Sequence, residues 1–476
     1  MPVSRFRREP VYHVDAAWLR MDTPTNSVNI TGLYLFDQPL DFNRLRAVIQ
    51  HRLLRFPRFV QRIREARLPF TLPTWEPDPD FSLDAHLHRL ALPAPGGWDT
   101  LLALVEDLMR VPLHPCQPLW QMYYVENFGA GSALVVRLSH ALADGVALMR
   151  VMQATTDLSP DAPPEALPDW LQDAPEEEES DFLVDAVVRA LDRVDDTVNF
   201  SRSVLRTGLG MLSNPSRLAG AMEAGLGGAL SLGKLLLIPP DRKTALRGRC
   251  TLAKRAVASD PLPLQEIKAI GKKLGGTVND VLLSTVTAGF RAYLLERGEN
   301  LQDASIRALV PVYIRNGKEA AEPCAGNGFG LVYLDLPVGI EDSVERLKKV
   351  HSSMLTIKRS PEAAVAYGIL YGLGQVPTPM SRPIVGLFGL KGTAVITNVP
   401  GPKETLYFAG APIRRLMFWV PQPAGLAVGV SIISYAGQVT LGLACDASVI
   451  PDPERILQAS QADYEEMRAL AAQAAD

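Results

Sequence analysis

The chain has few cysteines, no marked charge excess and no recognisable leader. Only four cysteines occur in 476 residues, Cys116, Cys250, Cys324 and Cys445. They lie 134, 74 and 121 residues apart, so no Cys-x-x-Cys zinc or redox pair exists and no small disulfide framework can be read. Reduced thiols in a cytosolic setting are expected. Lys plus Arg number 48 against 52 Asp plus Glu, a net charge of −4. That balance does not supply the cationic surface on which nucleic-acid affinity depends. The segment from Met1 to Pro10 is basic but has no apolar stretch behind it, as a secretory signal would require. A cytoplasmic protein is expected.

Long apolar runs suited to a membrane are also lacking on inspection. Leu416 to Cys445 is thirty residues without a charge, a length that would ordinarily suggest a span. Pro421 and Pro423 interrupt its start, and two strand-like runs flank Tyr435-Ala-Gly-Gln438, which predicts a buried β-hairpin. The charge-free run Ala363 to Ser381 carries glycines and prolines that break a spanning helix. Hydrophobic content of 47% with 21% charge is ordinary for a globular chain, and the length suggests about two to four domains.

Up to about Pro160 the pattern is mixed α/β. Val28 to Phe36 and Ala133 to Leu138 read as strands, and Asp41 to Phe56 as a helix. Prolines and the run Glu176–Glu179 then introduce a helix-compatible stretch, and strands and helices resume from Thr251. The expected division is residues 1–160, a helical linker over 161–248, and a second α/β unit over 249–476. Ser216 to Leu237, rich in Ala, Gly and Leu with a few basic residues, leaves open peripheral contact with a lipid surface.

Several motif-like segments carry no chemistry. Gly228 to Leu235 has the glycines and lysine of a phosphate-binding loop, but Leu235 stands where a hydroxyl must meet magnesium. The glycines of 326–330 lack the spacing of a dinucleotide fingerprint and read as a turn where backbone approaches something closely. His86 and His88 share a face at strand spacing but have no third ligand, so structural hydrogen bonds are expected and no metal.

His140 is different. It ends the strand Ala133 to Leu138 and is followed by Ala-Leu-Ala-Asp144-Gly145 and a helix-like segment, Val146 to Gln153. A histidine at the carboxyl end of a strand, followed by small residues and an Asp-Gly turn, can be presented into a cleft. Its ordinary pKa near 6.5 lets it be neutral at cytoplasmic pH and accept a proton from a hydroxyl.

The segment Ser139 to Gly145 resembles the His-His-x-x-x-Asp-Gly motif of acyltransferases related to chloramphenicol acetyltransferase, carnitine acyltransferases and peptide-synthetase condensation domains. Further matches narrow the resemblance to the bacterial wax ester synthase/diacylglycerol acyltransferase family. They include Asp15-Ala-Ala-Trp18, Pro118-Leu-Trp120, Thr277-Val-Asn-Asp280, Val310-Pro-Val312 with Arg315, Gly326-Asn327 and Thr397-Asn-Val-Pro-Gly-Pro402. They run in order along nearly the whole chain.

The resemblance implies an α/β fold of two chloramphenicol acetyltransferase-like sandwich domains joined by a helical crossover linker, with a channel between them for acyl-CoA and an acceptor alcohol. It implies transfer of a long-chain acyl group from CoA to diacylglycerol or a fatty alcohol; no cofactor or metal is expected, and the absence of a plausible nucleophile beside His140 points to direct attack without a covalent acyl-enzyme. Carried over by position, His140 is the base and Asp144 braces its loop through an ion pair, while Gly145 permits the turn. Asn279 is the candidate for polarising the carbonyl or ordering the site, and Asp280 stands beside it. Pro118 and Trp120 are read as core packing, Asn279-Asp280 also as a helix cap, and Asn398 to Pro402 as a rigid turn. Two departures stand out: Ser139 replaces the usual first histidine, and Leu113-His-Pro-Cys-Gln117 replaces a more usual Asp- and Arg-containing stretch. They keep two alternatives in view, an acyltransferase with another acceptor and a lipid-binding homologue without turnover. Acceptor preference, chain length and oligomeric state are not legible.

Overall fold

The structure is a computed structural model and describes residues 7–66, 68, 71–165, 237–313, 327–358, 360 and 362–474. Residues 166–236, which hold most of the expected linker and all but the last residue of Ser216–Leu237, fall outside the described residues, as do Arg315, Cys324 and Gly326.

Two sheets organise the molecule. The first has five strands in the order Arg415–Trp419, Asn29–Phe36, Gly131–Ser139, Trp120–Phe128 and Leu87–Ala91. Its central strand, Gly131–Ser139, is buried along its whole length, and such a strand reads as a continuous apolar run because both faces are covered. Alternation still sorts the side chains. Ala133 and Val135 pack with Leu101 and Val105 of the helix Trp98–Arg110. Leu134, Val136 and Leu138 face the opposite core with Val151 and Met152 of the helix Gly145–Thr155. Trp120 is fully buried on that second side, its indole N–H donating to the Phe59 carbonyl at 2.8 Å. The expected core role of Pro118-Leu-Trp120 matches this placement.

The second sheet runs Phe329–Leu336, Ile306–Tyr313, Ala394–Pro400, Val428–Tyr435, Gln438–Asp446 and Lys254–Ala258, with Leu262–Pro263 paired to Gln438–Asp446. The charge-free hairpin is there: Val428–Tyr435 and Gln438–Asp446 pair antiparallel around Ala436 and Gly437, both at positive φ. Two helices, Glu362–Leu373 and Thr378–Gly389, occupy the other charge-free run, and no described helix is long and apolar enough to cross a membrane. The helices Leu264–Leu274, Val278–Glu296 and Glu454–Gln473 bury one face of this sheet through residues such as Ile267, Phe290 and Tyr464. Chain connectivity does not respect the two sheets, since Arg415–Trp419 leaves the C-terminal half to pair antiparallel with Asn29–Phe36, Trp419 opposite Thr31.

Candidate active site

His140 follows directly on the strand Gly131–Ser139, its N–H bonded to the Val28 carbonyl at 3.0 Å. Four residues later, at Asp144, the chain turns into the helix Gly145–Thr155. Asp144 is its N-cap, with Oδ1 accepting from the N–H groups of Val146 at 3.1 Å and Ala147 at 3.0 Å. Such a cap satisfies helix donors that have no partner within the helix. Asp144 Oδ2 accepts from the Gly328 N–H at 3.1 Å. Among the described residues these bonds to backbone N–H groups, and no ion pair, are what ties Asp144 to the loop. Gly145 lies against Val399, where an added Cβ would come within 3.2 Å of a methyl group. Ser139 is buried, its Oγ accepting from the Ala141 N–H, and it does not line the cavity that His140 lines.

The ring of His140 is held between aromatic groups. Trp18 stacks on it with centroids 4.3 Å apart and planes 13° from parallel, and Phe329 meets it at 5.4 Å and 61°. A second carboxylate completes the frame. Asp15, 2% exposed, accepts through Oδ1 from the Asn327 backbone N–H at 2.8 Å and from its side-chain Nδ2 at 2.7 Å. Nδ2 also donates to the His140 carbonyl at 2.8 Å. The adjacent N–H groups of residues 327 and 328 are thus gripped by Asp15 and Asp144, both from the N-terminal half.

Gly330 makes a close approach at this place, since a Cβ there would fall 1.9 Å from the Ala363 carbonyl oxygen. The close backbone contact expected for the glycines of 326–330 is real. It occurs at the start of the strand Phe329–Leu336 and not in a turn.

Burial lowers the His140 pKa below the ordinary histidine value, opposed by the charge of Asp144, the ring's own backbone carbonyl and the Asn327 side chain. Burial thus disfavours the charged form of the ring. The ring lines a cavity of about 130 Å³ with walls from both halves, among them Trp18, Ile30, Phe329, Val395, Asn398 and Phe418. Two further apolar cavities share walls with this chamber. One, of about 100 Å³, lies under the first sheet against Val136, Leu148 and Met152 and shares Ile30, Gly145, Val399 and Phe418 with it. The other, of about 60 Å³, lies against the helices Glu362–Leu373 and Thr378–Gly389 and shares Leu331 and Pro423.

The other expected site residues sit at a different helix start. Thr277 caps the helix Val278–Glu296 in a reciprocal box with Asp280, the Asp280 N–H donating to Thr277 Oγ1 at 3.3 Å and the Thr277 N–H to Asp280 Oδ2 at 2.9 Å. Asp280 Oδ2 is also 2.7 Å from Nδ1 of His351. Asn279 does not line the His140 cavity, but its Oδ1 accepts from Asn398 Nδ2 at 3.0 Å, and Asn398 does line it. Asn398, expected in a rigid turn, lies in the strand Ala394–Pro400, which pairs parallel with strands on both sides. His86 and His88 each have a separate aromatic partner, Trp120 at 4.7 Å and Tyr123 at 4.9 Å. His86 Nδ1 is 2.8 Å from the Trp120 carbonyl. Among the described residues no group of three or more His, Cys, Asp or Glu side chains is arranged to hold a metal ion.

Comparison with known proteins decides the family. The profile of the wax ester synthase/diacylglycerol acyltransferase catalytic domain matches residues 12–282, and that of the family's C-terminal domain matches residues 325–468. The chain belongs to the wax ester synthase/diacylglycerol acyltransferase family. It is an acyltransferase.

A Mycobacterium tuberculosis protein described as a "probable" diacylglycerol O-acyltransferase is 28% identical over 455 residues, covering 92% of this chain and 91% of its own. A second protein from that organism, with a similarly qualified diacylglycerol O-acyltransferase name, is 30% identical over 451 residues, covering 94% and 89%. Among solved structures, the wax ester synthase/diacylglycerol acyltransferase of Marinobacter aquaeolei superposes with a TM-score of 0.66 at 22% identity, covering 98% of this chain and all of that one. The starter condensation domain of rhizomide synthetase does so with a TM-score of 0.57 at 14% identity, covering 98% and 95%. The two-domain α/β acyltransferase fold expected from the motifs is therefore established.

Proposed function

We propose that this acyltransferase moves a long-chain acyl group from acyl-CoA to a lipid alcohol, either diacylglycerol or a fatty alcohol, by direct attack with His140 as general base. The observation that carries this reading is the series of cavities: a buried imidazole in a chamber at the seam of the two halves, with two further apolar cavities that share walls with it. A reaction that joins two long chains at one polar junction calls for such an arrangement, because each chain needs an apolar sleeve while the junction needs the base. The acceptor hydroxyl gives its proton to the ring as its oxygen bonds to the thioester carbonyl carbon. The carbon–sulfur bond then breaks, and the proton passes to the departing CoA thiolate. No cofactor or metal enters this scheme. A base in this position contributes about 10²–10⁴-fold.

Asn279, through Asn398, orders a wall of the chamber that the ring also lines. The acceptor hydroxyl and the acyl carbonyl sit between the two. The decisive test is release of free CoA thiol from palmitoyl-CoA with and without hexadecanol or a diacylglycerol. Release that depends on acceptor and is lost in a folded His140→Ala protein is the expected result. Acceptor-dependent ester formation that survives the substitution overturns the reading.

A further inference from the structure

Among the described residues, Trp18 Nε1 beside the ring is buried with no hydrogen-bond partner, and so are two further atoms, Nδ1 of His140 and Oδ1 of Asn327. Their residues are already joined, because Asn327 Nδ2 donates to the His140 carbonyl at 2.8 Å. Buried polar groups are rarely left unpaired, and each exception calls for a physical account. One of these atoms is a nitrogen that carries a proton in one tautomer of the ring. The other is an oxygen that can only accept.

The orientation of the Asn327 amide is not arbitrary. Its NH₂ group has two acceptors, Asp15 Oδ1 at 2.7 Å and the His140 carbonyl, and flipping the amide would set its oxygen against both. Asp15 is itself fixed, since the same oxygen accepts the Asn327 backbone N–H. The carboxylate therefore dictates which end of the amide is left over, and it is the oxygen.

We infer that Asn327 is a positioning residue for His140: its Oδ1 accepts the Nδ1 proton when the ring works, which leaves Nε2 unprotonated toward the cavity, and Asp15 sets the amide for that purpose. The inference rests on the reading of His140 as the base. A neutral imidazole is a base only at the nitrogen without hydrogen, and the bond made by the other nitrogen decides which one that is. When Nε2 takes the acceptor's proton, the charge spreads over both nitrogens and the Nδ1–H···O bond strengthens. Among the described residues the other charged or titratable groups around the ring are few. Asp144 comes from the helix it caps, Asp15 from the helix His13–Met21, and Tyr313 lines the chamber from its own strand. The strands Phe329–Leu336 and Ala394–Pro400 present aromatic, aliphatic, hydroxyl and amide side chains there.

The test begins with the unmodified full-length chain carrying ¹⁵N-histidine, with the His140 resonances identified by their loss in His140→Gln. The expected spectrum above the acid limb shows the Nδ1–H tautomer, and a ring protonated at Nε2 overturns the inference with no further variant. Asn327→Leu keeps the volume and removes the acceptor. It is expected to reduce kcat by about tenfold or more, with the loss of about 10²–10⁴-fold for the base itself as the upper bound. KM for palmitoyl-CoA should stay within about threefold, and the acid limb should move to lower pH because the imidazolium loses its acceptor. A folded Asn327→Leu protein with unchanged tautomer, kcat and acid limb overturns the inference and assigns the ring's orientation to its own carbonyl. The pair Asp15→Asn and Asp15→Ala gives a second check. The amide oxygen of the first still accepts from Asn327 and should retain most activity, whereas the second should not, and equal activity of the two counts against the inference. Failure here is distinguishable from failure of the base reading, which is decided by His140→Ala alone.

Discussion

Two helices begin beside the seam of this molecule, and both begin with an aspartate near a histidine. At Gly145–Thr155, Asp144 is the cap and His140 lies four residues ahead of it. At Val278–Glu296, Asp280 closes a capping box, and His351 reaches it from the neighbouring helix Ser343–Lys358. The local vocabulary is the same, but the outcome differs. His351 has its Nδ1 committed to a carboxylate at 2.7 Å and lines neither of the two cavities flanked by Gly145. His140 is not bonded to Asp144, whose oxygens are used by backbone N–H groups of both halves. His140 differs from His351 in that its nearby acid is occupied elsewhere, so that the ring lines the chamber without a carboxylate bonded to it.

The largest test of that contrast is to remove each imidazole in turn. His140→Ala should reduce acceptor-dependent CoA release by about 10²–10⁴-fold while the protein still melts cooperatively. His351→Ala should leave the rate within about threefold and lower stability by about 1 kcal/mol, the net worth of one hydrogen bond. If the two substitutions cost the same in kcat, the distinction between a free and a committed ring is wrong.

A smaller effect is expected at the acids. Asp144→Ala removes an N-cap, worth about 0.5–2 kcal/mol, and leaves the Gly328 N–H without its partner, a further cost of about 1–3 kcal/mol if it stays dry. It should also lower activity, because the Gly328 bond helps hold the segment carrying Asn327 and Phe329 against His140. Thr277→Val breaks only the box at the other helix and should cost about 1 kcal/mol in thermal or denaturant melts. Equal losses of activity from the two would mean that both helix starts serve the reaction equally.

The two helix starts also differ in how well the sequence announces them. Ser139 to Gly145 is legible because strand, turn and helix lie within one short stretch and each has its own signal: an apolar run, small residues, Asp-Gly. Thr277-Val-Asn-Asp280 is legible as a capping box for the same reason. The frame of His140 is not, because its members are far apart in the chain. Asn327 is 187 residues from His140 and 312 from Asp15, and no periodicity connects them. The only signal was the pair of short motifs around Asp15-Ala-Ala-Trp18 and Asn327, which mark the family without saying that they meet. Asn398 reads as a turn residue because a proline and a glycine follow it, whereas in the fold it lies opposite Ile432 of Val428–Tyr435, in a parallel ladder that runs the length of Ala394–Pro400. The strand Arg415–Trp419 shows the same limit. It lies at the start of the charge-free run, and nothing in its residues says that its partner is Asn29–Phe36.

The narrowest way to sharpen the comparison is pH. Burial disfavours the charged His140 ring, so its folded pKa lies below the ordinary value near 6.5. A general base acts when neutral, so under the proposed function the acid limb of kcat/KM should fall below 6.5, and activity should hold at pH values where an exposed histidine would already be half protonated. The stability effect has the same sign. A group whose folded pKa is depressed binds fewer protons in the native state than in the unfolded chain. Its contribution is therefore present above the unfolded pKa and is lost as the pH falls through the folded one. His140→Gln should flatten that acid-side loss in denaturant melts while leaving the neutral-pH midpoint little changed. An acid limb above 6.5 would mean that a negative charge, and not the apolar chamber, governs this ring.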